Sequence, residues 1–292
     1  MEERFHYGGQ AVIEGVMIRG QKAVVTVVRR PGGTLAIATQ PLSIMYTGWM
    51  RKTPLIRGVV VLIEALTLGI KALLYSANVS LAEEEANVPG ALLWSMLVFA
   101  LAMAVGLFFM GPLFLTRLIE PYINSAVVFN LIEGCIRMII FIAYLKLVAL
   151  LPDLRRVFAY HGAEHKTVNA YEDGALLEVE AIKKYNTAHV RCGTSFLFVV
   201  LIIAIIVFAL VGLPSVWLMV LSRIVLIPVI AAISYEIIYF SARHKNNLVK
   251  AILAPGLWLQ SLTTREPDDS QLEVALAALK KAVEIDQLDG AA

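Results

Sequence analysis

Long apolar runs alternate with short polar stretches along most of this chain. Four of the runs reach the roughly 20 residues that a membrane-spanning helix needs. They cover Ala91 to Leu115, Ser125 to Leu151, Ser195 to Leu213 and Val216 to Phe240. The pattern therefore predicts an α-helical integral membrane protein with about four transmembrane helices. The last two helices form a hairpin, because only a short turn separates them.

A further apolar segment, residues 55 to 75, is interrupted by Arg57, Glu64 and Lys71. These charges are spaced seven positions apart and so lie on one stripe of a helix. We expect an amphipathic helix on the membrane surface or packed against the bundle. The alternative is a fifth span, whose charges would need partners inside the protein.

The N-terminal segment has a strand pattern. Residues 23 to 28 are rich in β-branched side chains, residues 31 to 33 read Pro-Gly-Gly, and a second short strand ends at Thr39. This order predicts a small β-hairpin. The stretch before it, Gly8 to Gly20, is bracketed by glycines that suit tight turns or a close backbone approach. Met1 to Gly20 has no apolar core of the kind found in a cleavable signal sequence, so we expect no such sequence.

Composition supports the membrane assignment. Of the 292 residues, 59% are hydrophobic and 16% charged, and the mean hydropathy is +0.74. The expected partner is therefore the lipid bilayer. The net charge is only +2, and no run of basic residues with interleaved aromatics occurs, so we expect no nucleic-acid partner. The two cysteines, Cys135 and Cys192, are 57 positions apart, which argues against a disulfide framework.

The distribution of basic residues predicts the orientation. The connector between the second and third spans carries six Lys and Arg residues, so the positive-inside rule places it and both termini in the cytoplasm. Beyond the last span we expect a surface segment and then an amphipathic helix from Gln271 to about Leu288, capped by Ser270. The predicted parts are a glycine-rich and hairpin segment (1–54), an amphipathic surface helix (55–90), spans one and two (91–151), a cytoplasmic histidine-rich loop (152–193), a transmembrane hairpin (194–241) and a cytoplasmic C-terminal region (242–292).

The residues with the clearest chemistry lie in Tyr160 to Glu172, which reads Y-H-G-A-E-H-K-T-V-N-A-Y-E. If this stretch is helical, His161 and His165 project from one face with Glu164 beside them. Neutral imidazoles bind zinc, and an adjoining carboxylate can accept a proton from metal-bound water, as in the His-x-x-Glu-His pattern of inverted zinc peptidases. A polar helical turn whose histidines pair locally is the alternative.

A catalytic zinc ion needs a third protein ligand. We expect His189 in this role, while Cys192 could complete a closed structural site. Glu236, near the end of the fourth span, is a candidate carboxylate ligand, and its alternative is an ion pair with Arg223 or Arg243. Glu133 and Arg137 are four positions apart and are expected to pair within one helix.

Four motifs resemble those of the YqhQ-like family of bacterial integral membrane proteins, which are described as predicted metal-dependent enzymes. They read G-G-Q-A-V-I-E-G-V-M-I-R-G from Gly8, Y-H-G-A-E-H-K-T-V-N-A-Y-E from Tyr160, R-C-G-T-S-F from Arg191, and T-T-R-E-P-D-D from Thr263. The resemblance implies a metal-dependent activity in the plasma membrane, without a substrate or a ligand set.

The leading functional hypothesis is a divalent-metal site, with zinc as the expected ion, that hydrolyses a peptide or a lipid-derived substrate, with Glu164 as general base. A second hypothesis is a transporter or channel whose path is lined by Glu133, Arg137, Arg223 and Glu236. A third is a scaffold or assembly factor with a structural metal site. The sequence leaves the substrate and the oligomeric state open.

Overall fold

The computed structural model describes residues 5–81, 90–212, 215–243 and 247–288. Its N-terminal strands are β1 (Gly8–Val12), β2 (Gly15–Arg19), β3 (Ala23–Arg29) and β4 (Leu35–Pro41). The helices that follow are α1 (Ile44–Thr47), α2 (Ile56–Leu81), α3 (Gly90–Val105), α4 (Gly111–Arg117), α5 (Ala126–Val148), α6 (Pro152–Asp173), α7 (Val179–Ile182), α8 (Gly193–Val211), α9 (Val216–Val225), α10 (Ile227–Arg243), α11 (Asn247–Thr263) and α12 (Asp269–Leu288).

The four strands form one antiparallel sheet in the order β1-β2-β3-β4. The pair β3 and β4 is the predicted hairpin, with Val27 opposite Ile37. The sheet is larger than expected, because Gly8 to Gly20 adds two strands joined by a turn in which Glu14 has a φ of 52°. Glycine is depleted in strands, so the glycine-rich composition of this stretch did not indicate β1 and β2.

One face of the sheet packs on α6 and α12. Val25 and Val27 of β3 are fully buried there together with Tyr160 of α6 and Leu272 of α12. Alternate residues of a strand point to opposite faces. This face therefore forms a core that joins the two ends of the chain.

The opposite face packs on α2. Met17 and Val24 of the sheet contact Leu68 and Ala72 of this helix in a second buried cluster. Glu64, on the stripe of charges, pairs with basic side chains of the N-terminal region. Part of α2 is thus packed against protein, which was one of the two expected arrangements of this amphipathic helix. Its length and composition also qualify it as a candidate span, which was the alternative.

Four helical segments in the described part of the chain are long and apolar enough to cross a membrane: Ile56–Ser80, Gly90–Arg117, Ala126–Val148 and Gly193–Val211. The expected last span is divided into α9 and α10, which are bent by 42° and make a fifth span if they are counted as one. Pro228 lies in the first turn of α10 and cannot donate to the Ile224 carbonyl, as residue 228 of one continuous helix would, so α9 ends before it. Within the turn before α9, residues 213–214 lie outside the described residues.

A buried ion triad lies inside the bundle. The Glu133 carboxylate accepts hydrogen bonds from Arg137 one turn along α5, at 2.5 Å, and from Arg223 of α9. The predicted intrahelical pair is therefore present, and a second arginine joins it from across the bundle. All three residues are at most 3% exposed. Pairing reduces the large cost of placing charges at such a position.

Two elements outside the bundle differ from the sequence-based picture. Residues 152–173 of the predicted loop form α6, since no further proline lies between Pro152 and Gly174 and the helix tolerates its one interior glycine, Gly162. The C-terminal helix is present but Ser270 does not cap it. Oδ1 of Asp268 accepts a hydrogen bond from the Gln271 amide at 2.9 Å, which is the geometry of an N-cap.

Candidate metal centre

The two histidines of the central motif project from one face of α6. Pro152 opens this helix, where its missing N–H is not needed, and Gly174 ends it with a left-handed φ of 76°. His161 and His165 are one turn apart, and their ring centroids are separated by 4.3 Å. The expected helical presentation of both rings is therefore observed.

Backbone carbonyls fix the tautomer of both rings. Nδ1 of His161 donates to the carbonyl of Thr263 at 2.9 Å, and Nδ1 of His165 donates to that of Thr187 at 2.5 Å. A carbonyl can only accept, so each Nδ1 carries a proton and Nε2 is the ring nitrogen left to face a metal ion. Metal-binding histidines are commonly held in this way.

Cys192 brings a third donor to the same place. Its sulfur lies 3.3 Å from Nε2 of His161, and the donor atoms of His161, His165 and Cys192 all lie within 4.8 Å of one another. Two ligands of one tetrahedral zinc ion are about 3.5 Å apart, given Zn–S and Zn–N bonds of about 2.3 and 2.1 Å. Two nitrogens and a sulfur suit zinc better than magnesium or calcium. The donor types therefore suit zinc, and separations of up to 4.8 Å would have to shorten to about 3.5 Å for the three atoms to share one ion.

The position of Cys192 in the fold also suits a metal ligand. It is the N-cap residue of α8, and the amide of Thr194 points at its sulfur from 3.4 Å. The positive end of the helix dipole favours negative charge there. The R-C-G-T-S-F motif thus places a buried sulfur at the start of an apolar helix.

Glu164 lies beside this cluster. Its Oε2 is 3.6 Å from Nε2 of His165, and its side chain is 5% exposed. Within the residues that the structure describes, the carboxylate accepts no hydrogen bond. Burial lowers the pKa of both His189 and Arg191, and the charge of Glu164 opposes this lowering, so the carboxylate lies close enough to act on both side chains. β1 passes close by, since a Cβ at Gly9 would lie 2.9 Å from Cγ of Glu164.

His189, the expected third ligand, lies next to the cluster. Its ring centroid is 5.6 Å from that of His165, and it is not among the three residues whose donor atoms converge. Its Nε2 is buried without a hydrogen-bond partner, and Oε2 of Glu172 lies 3.6 Å away. Burial lowers the pKa of His189, so its ring is neutral at pH 7. The structure thus places an unused imidazole nitrogen beside the donors.

Glu236, the expected carboxylate ligand, is occupied elsewhere. It accepts hydrogen bonds from Nε of Arg57 at 2.8 Å and from the Leu55 amide at 2.9 Å. Arg223 pairs with Glu133 instead, and the side chain of Arg243 is outside the described set. Sequence reasoning missed Arg57 as the partner, because the two residues are 179 positions apart and belong to different helices.

The segment after α11 is fitted closely against α6. The Arg265 amide donates to the carbonyl of Phe158 at 2.9 Å, and a Cβ at Gly162 would overlap the carbonyl oxygen of Arg265. Glycine permits this approach, which brings the Thr263 carbonyl to His161. From sequence, T-T-R-E-P-D-D indicated only a polar turn. In the structure it supplies the partner of a candidate metal ligand.

Two amide side chains hold the loop before α8. Gln260 is 1% exposed, and its amide group accepts from the His189 N–H at 2.9 Å and donates to the His189 carbonyl at 2.8 Å. Asn169 donates to the carbonyls of Asn186 at 2.9 Å and Ala188 at 3.0 Å. Sequence reasoning missed both residues. The signal for Gln260 was a single amide side chain within an apolar helix.

The glycine-rich N-terminal motif is tied to α6 beside the cluster. Glu14 accepts hydrogen bonds from Nη2 of Arg156 at 2.7 Å and from the Tyr160 hydroxyl at 3.3 Å. Burial, reinforced by the charge of Glu14, raises the pKa of Tyr160 to about 12. The hydroxyl therefore stays protonated and links the sheet to α6 next to His161.

Comparison with known proteins gives a family. Residues 53–285 match the family model described as "Protein of unknown function (DUF1385)". The chain is 33% identical over 302 residues to "Uncharacterized protein YqhQ" of Bacillus subtilis (strain 168), covering 97% of this chain and 93% of that protein. No solved structure matches the chain. On both the family match and the extent of this identity, the chain belongs to the DUF1385 family.

Proposed function

We propose that this protein is a bacterial plasma-membrane enzyme that holds zinc through His161, His165 and Cys192 and hydrolyses a peptide or lipid-derived substrate. The observation that carries the proposal is the convergence of three donor atoms beside Glu164, a buried carboxylate with no hydrogen-bond donor among the described residues. The basic residues of connector 152–193 support a cytoplasmic position for this centre, with both termini on the same side.

Each residue has a defined role in this proposal. Zinc bound there would supply a Lewis acid that polarises the substrate and acidifies a water molecule. Glu164 accepts the proton of the attacking water at its carboxylate and returns it to the leaving group. The carbonyls of Thr263 and Thr187 orient the two imidazoles, which keeps their Nε2 lone pairs aimed at one point.

A structural metal site is a second candidate, and His189 is the observation that favours it. Its Nε2 is buried without a hydrogen-bond partner, and its ring centroid lies 5.6 Å from that of His165. A small rotation of the loop would add a fourth protein ligand and close the coordination sphere, as in structural zinc sites. The number of protein ligands therefore separates the two candidates.

Elemental analysis of the purified full-length protein tests metal binding. We expect about one zinc ion per chain, as one set of ligands provides, and loss of the metal in the His161→Ala/His165→Ala double variant. His6→Ala is the matched control, because His6 is a histidine with a 61% exposed side chain. Equal metal contents in the three proteins would overturn the assignment.

The catalytic role is tested with Glu164→Gln, which preserves size and removes the base. Hydrolysis of a panel of peptides and lipid esters in detergent should fall by about 10²- to 10⁴-fold while zinc stays bound. Asp153→Asn is the control, because Asp153 is an exposed acid in the first turn of the same helix, away from the donors. Undiminished turnover in Glu164→Gln would remove Glu164 from the mechanism and leave the metal site intact.

A further inference from the structure

We propose that a basic cleft formed by Lys146, Arg155 and Arg265 binds the phosphate group of an anionic phospholipid. The cleft has a volume of about 770 Å³, in the range of small-molecule sites. Among the described residues that line it there are three cations and no acid. The inference concerns lipid binding and holds whether or not the metal centre is hydrolytic.

The three cations come from different parts of the chain and meet at one end of the bundle. Lys146 lies in the last turn of α5, a candidate span, Arg155 lies near the start of α6, and Arg265 follows α11. A cleft at the end of a spanning helix lies at the level of the lipid headgroups. Basic pockets between spanning helices are known to bind anionic headgroups.

The charges of these side chains are not neutralised within the described part of the protein. None of the three forms an ion pair there. Nε of Arg155 donates to the Ala149 carbonyl at 3.1 Å, and Nη1 of Arg265 donates to the Ser261 and Thr264 carbonyls at 2.9 and 2.8 Å. Both arginines are thus held in place while their remaining N–H groups keep no described partner, and guanidinium forks of this kind suit phosphate oxygens.

The walls of the cleft favour a lipid over free phosphate. Leu147 and Leu150 line it and are 67% and 63% exposed, and Leu262 belongs to the same lining. Apolar side chains at the edge of the bundle can contact acyl chains while the cations hold the headgroup. Inorganic phosphate has no acyl chain, so these leucines would not increase its affinity for the cleft.

The cleft adjoins the candidate metal centre. Arg265 lines the cleft, while Thr263, two residues earlier, accepts the hydrogen bond of His161. The Arg265 amide is also bonded to Phe158 of α6. A phospholipid in the cleft would therefore lie against the segment that positions the candidate metal ligands.

Binding is tested on the full-length protein, delipidated in a neutral detergent, by native mass spectrometry. The probes are phosphatidylglycerol, phosphatidylcholine with the same acyl chains, and inorganic phosphate. The Lys146→Gln/Arg155→Gln/Arg265→Gln variant should bind phosphatidylglycerol about 100-fold more weakly, as three basic residues each contribute about fivefold. The matched control, Arg30→Gln/Lys184→Gln/Lys280→Gln, removes the same charge at exposed positions and should bind like the wild type.

Three results would overturn the inference. They are equal binding of phosphatidylcholine, an equal loss in the control variant, and displacement of the lipid by an equal concentration of inorganic phosphate. If the triple variant does not fold, Lys146→Gln alone replaces it, because Lys146 is exposed and bonded to no described residue, and a fivefold loss is then expected. Zinc content is measured on Lys146→Gln, because Lys146 is bonded to no described residue, and it should not change. This separates a failure here from a failure of the metal site.

Discussion

Nε2 of His161 and Sγ of Cys192 lie 3.3 Å apart although 31 positions separate the two residues. His161 belongs to α6, which packs on the N-terminal sheet, and Cys192 begins α8, which packs against α5 and α11 of the bundle. The contact therefore joins the sheet region to the bundle. A metal ion bound at this place would strengthen the connection between them.

The first prediction concerns the sulfur. In protein loaded with Co²⁺, the Cys192→Ser variant should lose the sulfur-to-cobalt charge-transfer absorption, because the thiolate that produces it is gone. Metal affinity should fall by at least about tenfold. Cys135→Ser is the control, since Cys135 is the other cysteine and lies exposed on α5. An unchanged spectrum for Cys192→Ser would exclude sulfur ligation.

The second prediction concerns the packing of α6. Gly162→Ala should destabilise the protein by about 1–3 kcal/mol, because its Cβ would overlap the Arg265 carbonyl and overpacking costs about that much. Since the displaced segment carries the Thr263 carbonyl, metal affinity should fall by about 10- to 100-fold. Thermal unfolding and metal titration check both effects.

The control for this variant is Gly32→Ala, where an added Cβ has nothing within 4 Å. We expect a change in stability of less than about 0.5 kcal/mol there. If Gly162→Ala lowered stability without changing metal affinity, the proposed coupling between segment and site would be wrong.

The third prediction concerns alkaline pH. Burial raises the pKa of Tyr7 above its ordinary value of 10.0, and its hydroxyl donates to Asp286 at 2.9 Å. Above pH 10 the unfolded chain therefore loses this proton first, so the free energy of unfolding should decrease with rising pH, by about 1.4 kcal/mol per pH unit. Below pH 10 this contribution is fully present.

Tyr7→Phe removes the titrating group, so the decrease between pH 10 and 12 should be shallower than in the wild type when unfolding temperatures are compared. Tyr122→Phe should reproduce the wild-type slope, because Tyr122 is 86% exposed. Identical slopes for Tyr7→Phe and the wild type would show that Tyr7 is not the titrating group.

The fourth prediction concerns the ion triad. Glu133→Gln leaves Arg137 and Arg223 buried without a carboxylate, and breaking a buried pair in this way costs about 3–5 kcal/mol. Arg223→Gln should cost less, because Glu133 keeps Arg137. Glu120→Gln is the control, since its pair with Arg117 is partly exposed and such pairs contribute at most about 1 kcal/mol. The order of unfolding temperatures checks the prediction.

The long apolar helices were the most predictable part of the fold, because apolar runs determine both their position and their length. The first run, predicted as Ala91 to Leu115, corresponds to the candidate span Gly90–Arg117. The bend before Pro228 was harder to predict from the sequence, because a proline near a helix start and a proline within a span give similar local patterns.

Contacts between distant residues were the least predictable. The histidine spacing predicted the common face of His161 and His165, but their carbonyl partners are 102 and 22 positions away. Backbone carbonyls carry no side-chain signal, so a sequence pattern does not reveal them. Arg57 was missed as the partner of Glu236 for a related reason, because the pair depends on how two helices pack.

The antiparallel sheet near the start of the chain has consequences for biosynthesis. Its face with Val25 and Val27 is covered by α12, the last helix of the described chain. A ribosome that has translated β1 to β4 has made strands whose Val25 and Val27 lack the core partners Leu272 and Leu279. The nascent chain must keep these strands from misfolding or aggregating while the intervening helices are synthesised. Completed chains can therefore be distinguished from stalled ones by protection of the sheet from proteases.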